Sequence, residues 1–251
     1  MNYRLRTLVD TRTQIQKIRI GFDLRIKAIE RGASQADEET ADEYAKLQDL
    51  FDGVETYLDG RIAPLVKQEP IYAQVSAIKG IGTTLAAKLI SQIDITRAPH
   101  ISSLWSFAGQ CNDWYWQDGD GSVVAPQRGY QWKGNAKKKV KIEVIPEPKP
   151  DWNLVQARER QMSGWHSPYN QKLKTTCYLI AEQFIRQKSA YRQFYDWRHA
   201  HCEQTHPEWK PLHRHGDAMR VMMQKFLSHL WLRWRMLEGL EIEGPYVNER
   251  L

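Results

Sequence analysis

Between Arg4 and Glu30 apolar residues return at every seventh position, Leu8, Ile15, Phe22 and Ile29, flanked by Leu5, Ile18 and Ile26 among many Arg and Lys. That period predicts a long amphipathic helix. Gly32, Ala33 and Ser34 break the pattern. The acidic run Asp37, Glu38, Glu39, Asp42, Glu43 then opens a second helix, at the end where the helix dipole favours negative charge. Tyr44, Leu47, Phe51, Val54 and Leu58 keep a three-four spacing until Gly60 and Pro64, which are expected to interrupt it. Residues 1–70 therefore read as an antiparallel helical hairpin, a coiled-coil-like stalk. Its stripe serves either a homodimer interface or packing on the rest of the chain, and the repeat fits both.

Pro70 begins a second stretch, expected to form one domain over residues 71–251. Ile71, Val75 and Ile78 form a helical stripe that runs into Lys79, Gly80, Ile81, Gly82, Thr83 and Thr84, followed by the apolar helix that contains Lys88. This order of helix, glycine turn and helix is a helix-hairpin-helix pattern. Glycines let peptide N–H groups approach a ligand, and the free amides opening the next helix suit a phosphate, with Lys79, Thr83, Thr84 and Lys88 as further candidates. The same glycines would also serve a tight interhelical turn with nothing bound.

Character changes over about residues 111–165. Trp114, Tyr115, Trp116, Tyr130, Trp132 and Trp152 alternate with turn pairs such as Asp118-Gly119, and Pro146, Pro148 and Pro150 exclude regular helix. An aromatic, basic insertion with a short β-hairpin is the expectation. Helical periodicity resumes at Asn170, through Leu173, Cys177, Ile180 and Phe184. It ends in a strong helix from about Asp217 to Glu238, whose Met222, Met223, Phe226, Leu230, Trp231 and Trp234 read as core. The fold class is thus mainly α.

Charge sharpens this picture. The net charge of +6 equals the excess inside one segment, where Arg128, Lys133, Lys137, Lys138, Lys139 and Lys141 occur without an acid. Bases interleaved with aromatics can neutralise phosphates and stack on exposed nucleobases. A lysine-rich rim on a solvated hairpin is the plainer alternative. No apolar stretch is long enough to span a bilayer and the N-terminus lacks a signal-peptide core, so a cytoplasmic protein is expected. Cys111, Cys177 and Cys202 have no CxxC spacing, which argues against a disulfide framework. His199, His201 and Cys202 offer zinc ligands, but their spacing matches no closed zinc module, so no cofactor is expected and zinc stands as the alternative.

Ile78 to Ile90, then Asp94-Ile95, then Leu104 to Gly109, resemble the opening of the C-terminal domain of the insertion-sequence one-ten and one-sixteen transposases. Asn170 to Lys174 and Arg220 to Leu230 resemble its later helices, so the resemblance covers about residues 71–240. It implies a DNA-binding protein of a phage or mobile element that acts in recombination or transposition, in some relatives with a structured RNA. It also implies a serine nucleophile, which by order along the chain is Ser163 in Met162-Ser163-Gly164, with Ser167 the alternative, and further nucleic-acid contacts at Lys172 and Lys174. The family's acidic ribonuclease-H-like domain has no counterpart in the helical N-terminal stretch, so this sequence resembles free-standing versions of the C-terminal domain, incomplete as enzymes without a partner. The competing expectation is a non-catalytic RNA-binding or nucleoprotein assembly factor.

Overall fold

The computed structural model describes residues 2–135, 138–158 and 162–242. It divides into two compact units, Met1–Asp94 and Ile95–Leu251, so residues 71–94, the glycine turn at 80–82 among them, fall in the same unit as the N-terminal hairpin.

In the first unit α1 (Tyr3–Glu30) and α2 (Glu38–Lys67) pack side by side as the expected hairpin. Each opens on a side-chain cap: Asn2 accepts the Leu5 N–H at 3.0 Å, and Asp37 accepts the Thr40 N–H at 2.9 Å. The seam between the helices departs from the seven-residue stripe. Leu5, Val9 and Phe22 of α1 are buried with Leu58, Ile62 and Val66 of α2, whereas Leu8, Ile15 and Ile29 are only half-buried. Midway the seam is ionic: Arg12 reaches Glu55 at 3.1 Å and Asp59 at 3.0 Å, and Arg19 donates to Glu55 at 2.6 Å. These pairs let charged residues take inward positions that an apolar period cannot reveal.

Helix α2 also runs straight through Gly60 and Pro64. Proline crowds and deprives the carbonyl four residues earlier, which here belongs to Gly60, and the buried Leu58, Ile62 and Val66 hold the last turns against the core. On another face of α2, Leu50, Val54 and Tyr57 remain exposed, as does Ile18 of α1. Two short helices, α3 (Tyr72–Ser76) and α4 (Thr83–Ile90), complete the unit, with Val75, Ile81, Ala86, Leu89 and Ile90 buried.

The second unit begins with a 3-10 turn, Ile95–Arg97, and α5 (Ile101–Phe107). The insertion holds more strand than expected. β1 (Asn112–Gln117) lies between β2 (Val123–Pro126) and β5 (Asn153–Arg158) in an antiparallel sheet, and β3 (Gly129–Asn135) pairs with β4 (Lys138–Val144) as a separate two-stranded ribbon. Three helices follow: α6 (Gln171–Arg186), α7 (Arg192–Thr205) and α8 (Pro211–Leu237). Helix α8 starts earlier than expected because Pro211 occupies its first turn, where the missing N–H costs nothing. Its Met222, Phe226, Leu227 and Trp231 are buried with Leu173, Ile180 and Phe184 of α6. The Trp231 indole donates to the Ala98 carbonyl at 2.8 Å, tying α8 to the start of the unit.

Candidate nucleic-acid interface

The first candidate surface lies in the N-terminal unit. Ile78 to Ile81 form a turn closed by the Ile81 N–H on the Ile78 carbonyl at 3.0 Å, and Gly80 sits at φ +101°, a conformation that side chains resist. The apolar side chain of Ile81 is anchored in the core. Gly82 differs. As the residue before α4 it has φ −82° and ψ 174°, ordinary extended backbone, and a Cβ added there would meet nothing within 4 Å. No side chain caps α4, so the amides of its first turn are left without intrahelical partners.

The candidate side chains around this turn separate. Lys79 is exposed, Thr84 is half-buried, and the Thr83 hydroxyl lies 3.2 Å from the Tyr72 hydroxyl. Lys88 turns inward: its ammonium donates to Gln16 at 3.3 Å, and burial, with the Arg12 charge nearby, lowers its pKa despite Asp59 and Glu55. It belongs to the ionic seam rather than to the glycine turn.

The second surface is the β3–β4 ribbon and its surroundings in the second unit. Lys133 stands on β3 opposite Val140, and Lys138, Lys139 and Lys141 on β4 stand opposite Asn135, Gly134 and Trp132, while Lys137 lies outside the described residues. The Lys141 ammonium sits 4.2 Å from the centre of the Tyr130 ring. Arg128 pairs with Glu143 at 3.4 Å, both largely exposed, so an approaching phosphate could compete for it at little cost.

Beside the ribbon opens a cleft of about 470 Å³ lined by Asp113, Tyr115, Arg128, Tyr130, Lys141 and Trp165, among others. The turn after β5 is docked onto β3, since the His166 N–H donates to the Tyr130 carbonyl at 2.6 Å. Gly129 makes this docking feasible: a Cβ there would stand 2.6 Å from the Trp165 ring. Neither Asp113 nor Trp165 was among the sequence candidates. The signal that points to them is a glycine inside a strand, which marks a close approach.

The two serine candidates sit on that same turn. Ser163 is exposed and its hydroxyl makes no hydrogen bond among the described residues. The Ser167 hydroxyl is buried and has no partner among the described residues. His166 Nδ1 bonds to the Ser167 carbonyl at 2.7 Å, which fixes the proton on that nitrogen. Arg160, a neighbour in sequence, lies outside the described residues.

Two distant blocks do converge. The Asn170 N–H donates to the Phe107 carbonyl at 2.9 Å, bringing the start of α6 to the end of α5. Gly109, at φ +64°, closes α5, and a Cβ there would press on Lys174 and Tyr169. Lys174 lies 3.7 Å from the centre of the Tyr169 ring, and Lys172 is exposed in the first turn of α6.

The zinc candidates part company. Cys202 is buried and donates to Asp217 at 3.6 Å, His199 faces Glu203 at 3.6 Å, and His201 stacks on Trp197. Asp217 is held by Arg198 and Arg220, both at 2.6 Å. Among the described residues, no three His, Cys, Asp or Glu side chains come together as a metal site, and no helix is long and apolar enough to cross a membrane. Compared with known proteins, the chain matches no family model and no curated protein.

Proposed function

We propose that this protein binds DNA through phosphate contacts at the glycine turn and the basic ribbon, and that it acts in recombination or transposition. Gly82 carries the reading. Neither its backbone angles nor its surroundings require glycine, so what the missing side chain provides is access to the uncapped amides of α4. Exposed Lys79 adds charge beside them, and the ribbon adds Lys133 and Lys141. The resemblance of residues 71–240 to transposase C-terminal domains supports the link to recombination. Binding, rather than strand cleavage, is the activity assigned.

Two copies fit the same reading. Leu50, Val54 and Tyr57 recur at three-four spacing on an exposed face, on an acidic helix whose neighbour α1 is basic, so a second hairpin can place its α1 against this α2.

Gly82→Asp tests the phosphate contact. Aspartate is a better helix cap than glycine, so the fold should be kept or stabilised. Its carboxylate would occupy the anion position, and duplex affinity should fall at least about tenfold, the loss of one charge-assisted hydrogen bond. Unchanged affinity in the folded variant would remove the glycine turn from the interface.

A further inference from the structure

We propose that the cleft beside the β3–β4 ribbon is a pocket for a single unpaired nucleotide, an inference that rests on the nucleic-acid reading above. Its volume of about 470 Å³ lies within the range of about 300–1,000 Å³ common to small-ligand sites. The lining has the three kinds of group that a nucleotide needs. Arg128 and Lys141 supply positive charge for the phosphate, Tyr130 and Trp165 supply aromatic surface for the base, and Asp113 supplies an acceptor for the base N–H groups.

The geometry limits how these groups are used. Lys141 lies against the Tyr130 ring, yet Tyr130 stays 38% exposed, so ring surface remains for a base. Trp165 is held as the second wall by the absence of a side chain at Gly129 and by the backbone bond from His166 to Tyr130. One Asp113 oxygen accepts the Trp114 N–H at 2.8 Å, which orients the carboxylate, and among the described residues no hydrogen bond to the other oxygen competes with a ligand. A base within a duplex has both faces stacked and its donors paired, so it enters only after leaving the helix. A bulge or mismatch lowers the cost of that step.

The test uses the full chain and three probes: a perfectly paired duplex, the same duplex with one bulged 2-aminopurine, and free nucleoside monophosphate. The bulged duplex should bind about tenfold more tightly than the paired one, and stacking on Tyr130 and Trp165 should quench its fluorescence. Tyr130→Ala and Asp113→Asn should each reduce the ratio of bulged-duplex to paired-duplex affinity at least threefold. Gly129→Ala, which pushes Trp165 aside, should remove the quenching, with circular dichroism confirming that the helices persist. Equal affinity for bulged and paired duplexes without quenching would overturn the pocket and leave DNA binding standing. Failure to bind any duplex would overturn both. Binding of free nucleotide with no preference for the bulge would overturn the assignment to a strand.

Discussion

Asp217 settles the local chemistry of the histidine-rich segment. Burial alone would raise its carboxyl pKa, but hydrogen bonds from Arg220 and Arg198, reinforced by their charges, outweigh burial and hold it below the ordinary carboxylate value. The carboxylate is thus committed to two guanidiniums, and burial raises the pKa of the neighbouring Cys202 thiol. A group whose folded pKa is depressed contributes stability above its unfolded pKa and loses it as pH falls through the folded value. Asp217→Asn should therefore cost about 2 kcal/mol at pH 7, less than a fully buried pair because Arg198 keeps some solvent. The gap to the parent protein should close in urea melts as the pH falls below about 4. A gap independent of pH would assign the loss to packing. In the sequence this aspartate looked like the start of a helix, because nothing in its neighbours revealed that Arg198, nineteen positions earlier, returns to it.

Among the elements, the helical hairpin tests what an apolar period can tell. Its existence, the break at Gly32 and the acidic opening of α2 at Asp37 were legible from local signals, whereas the far end of α2 was not, since Gly60 and Pro64 read as an interruption and the helix continues to Lys67. Its facing was not, because Arg12 and Arg19 looked like solvated positions and are instead paired with Glu55 of α2. The distinction decides which substitution probes self-association. Phe22 stacks on Tyr44 and packs at a tilt against Phe51 within one hairpin, so charging it would disrupt the hairpin itself. Leu50→Glu with Val54→Glu changes only exposed positions and should turn a dimer into a monomer of 29.4 kDa with an unaltered helical spectrum. A parent chain that stays monomeric across concentrations in light scattering would rule out the paired arrangement. The ribbon gives the opposite lesson: a basic, aromatic hairpin was legible from alternation, but the cleft beside it depends on a turn arriving about thirty-five residues after Gly129.

At the scale of the molecule, the excess charge is concentrated where contact is proposed. If about six cations neutralise phosphates, the logarithm of duplex affinity should fall with the logarithm of salt at a slope on the order of −5. A slope near zero would leave the ribbon as a solvated rim. Removing Lys133 and Lys141 together should flatten the slope by about 2 and weaken binding to all sequences alike, as expected of backbone contacts. The ionic seam has a consequence of a different kind. A seam of leucines alone would tolerate α2 sliding along α1 by a turn, since one leucine replaces another. Here such a slip would carry Glu55 from its place between Arg12 and Arg19 and put Asp52 or Asp59 there instead, a shorter carboxylate that reaches one guanidinium less well than Glu55 reaches both. The ionic seam therefore favours the register in which Glu55 bridges both arginines, and the glycine turn that packs on the hairpin inherits that address.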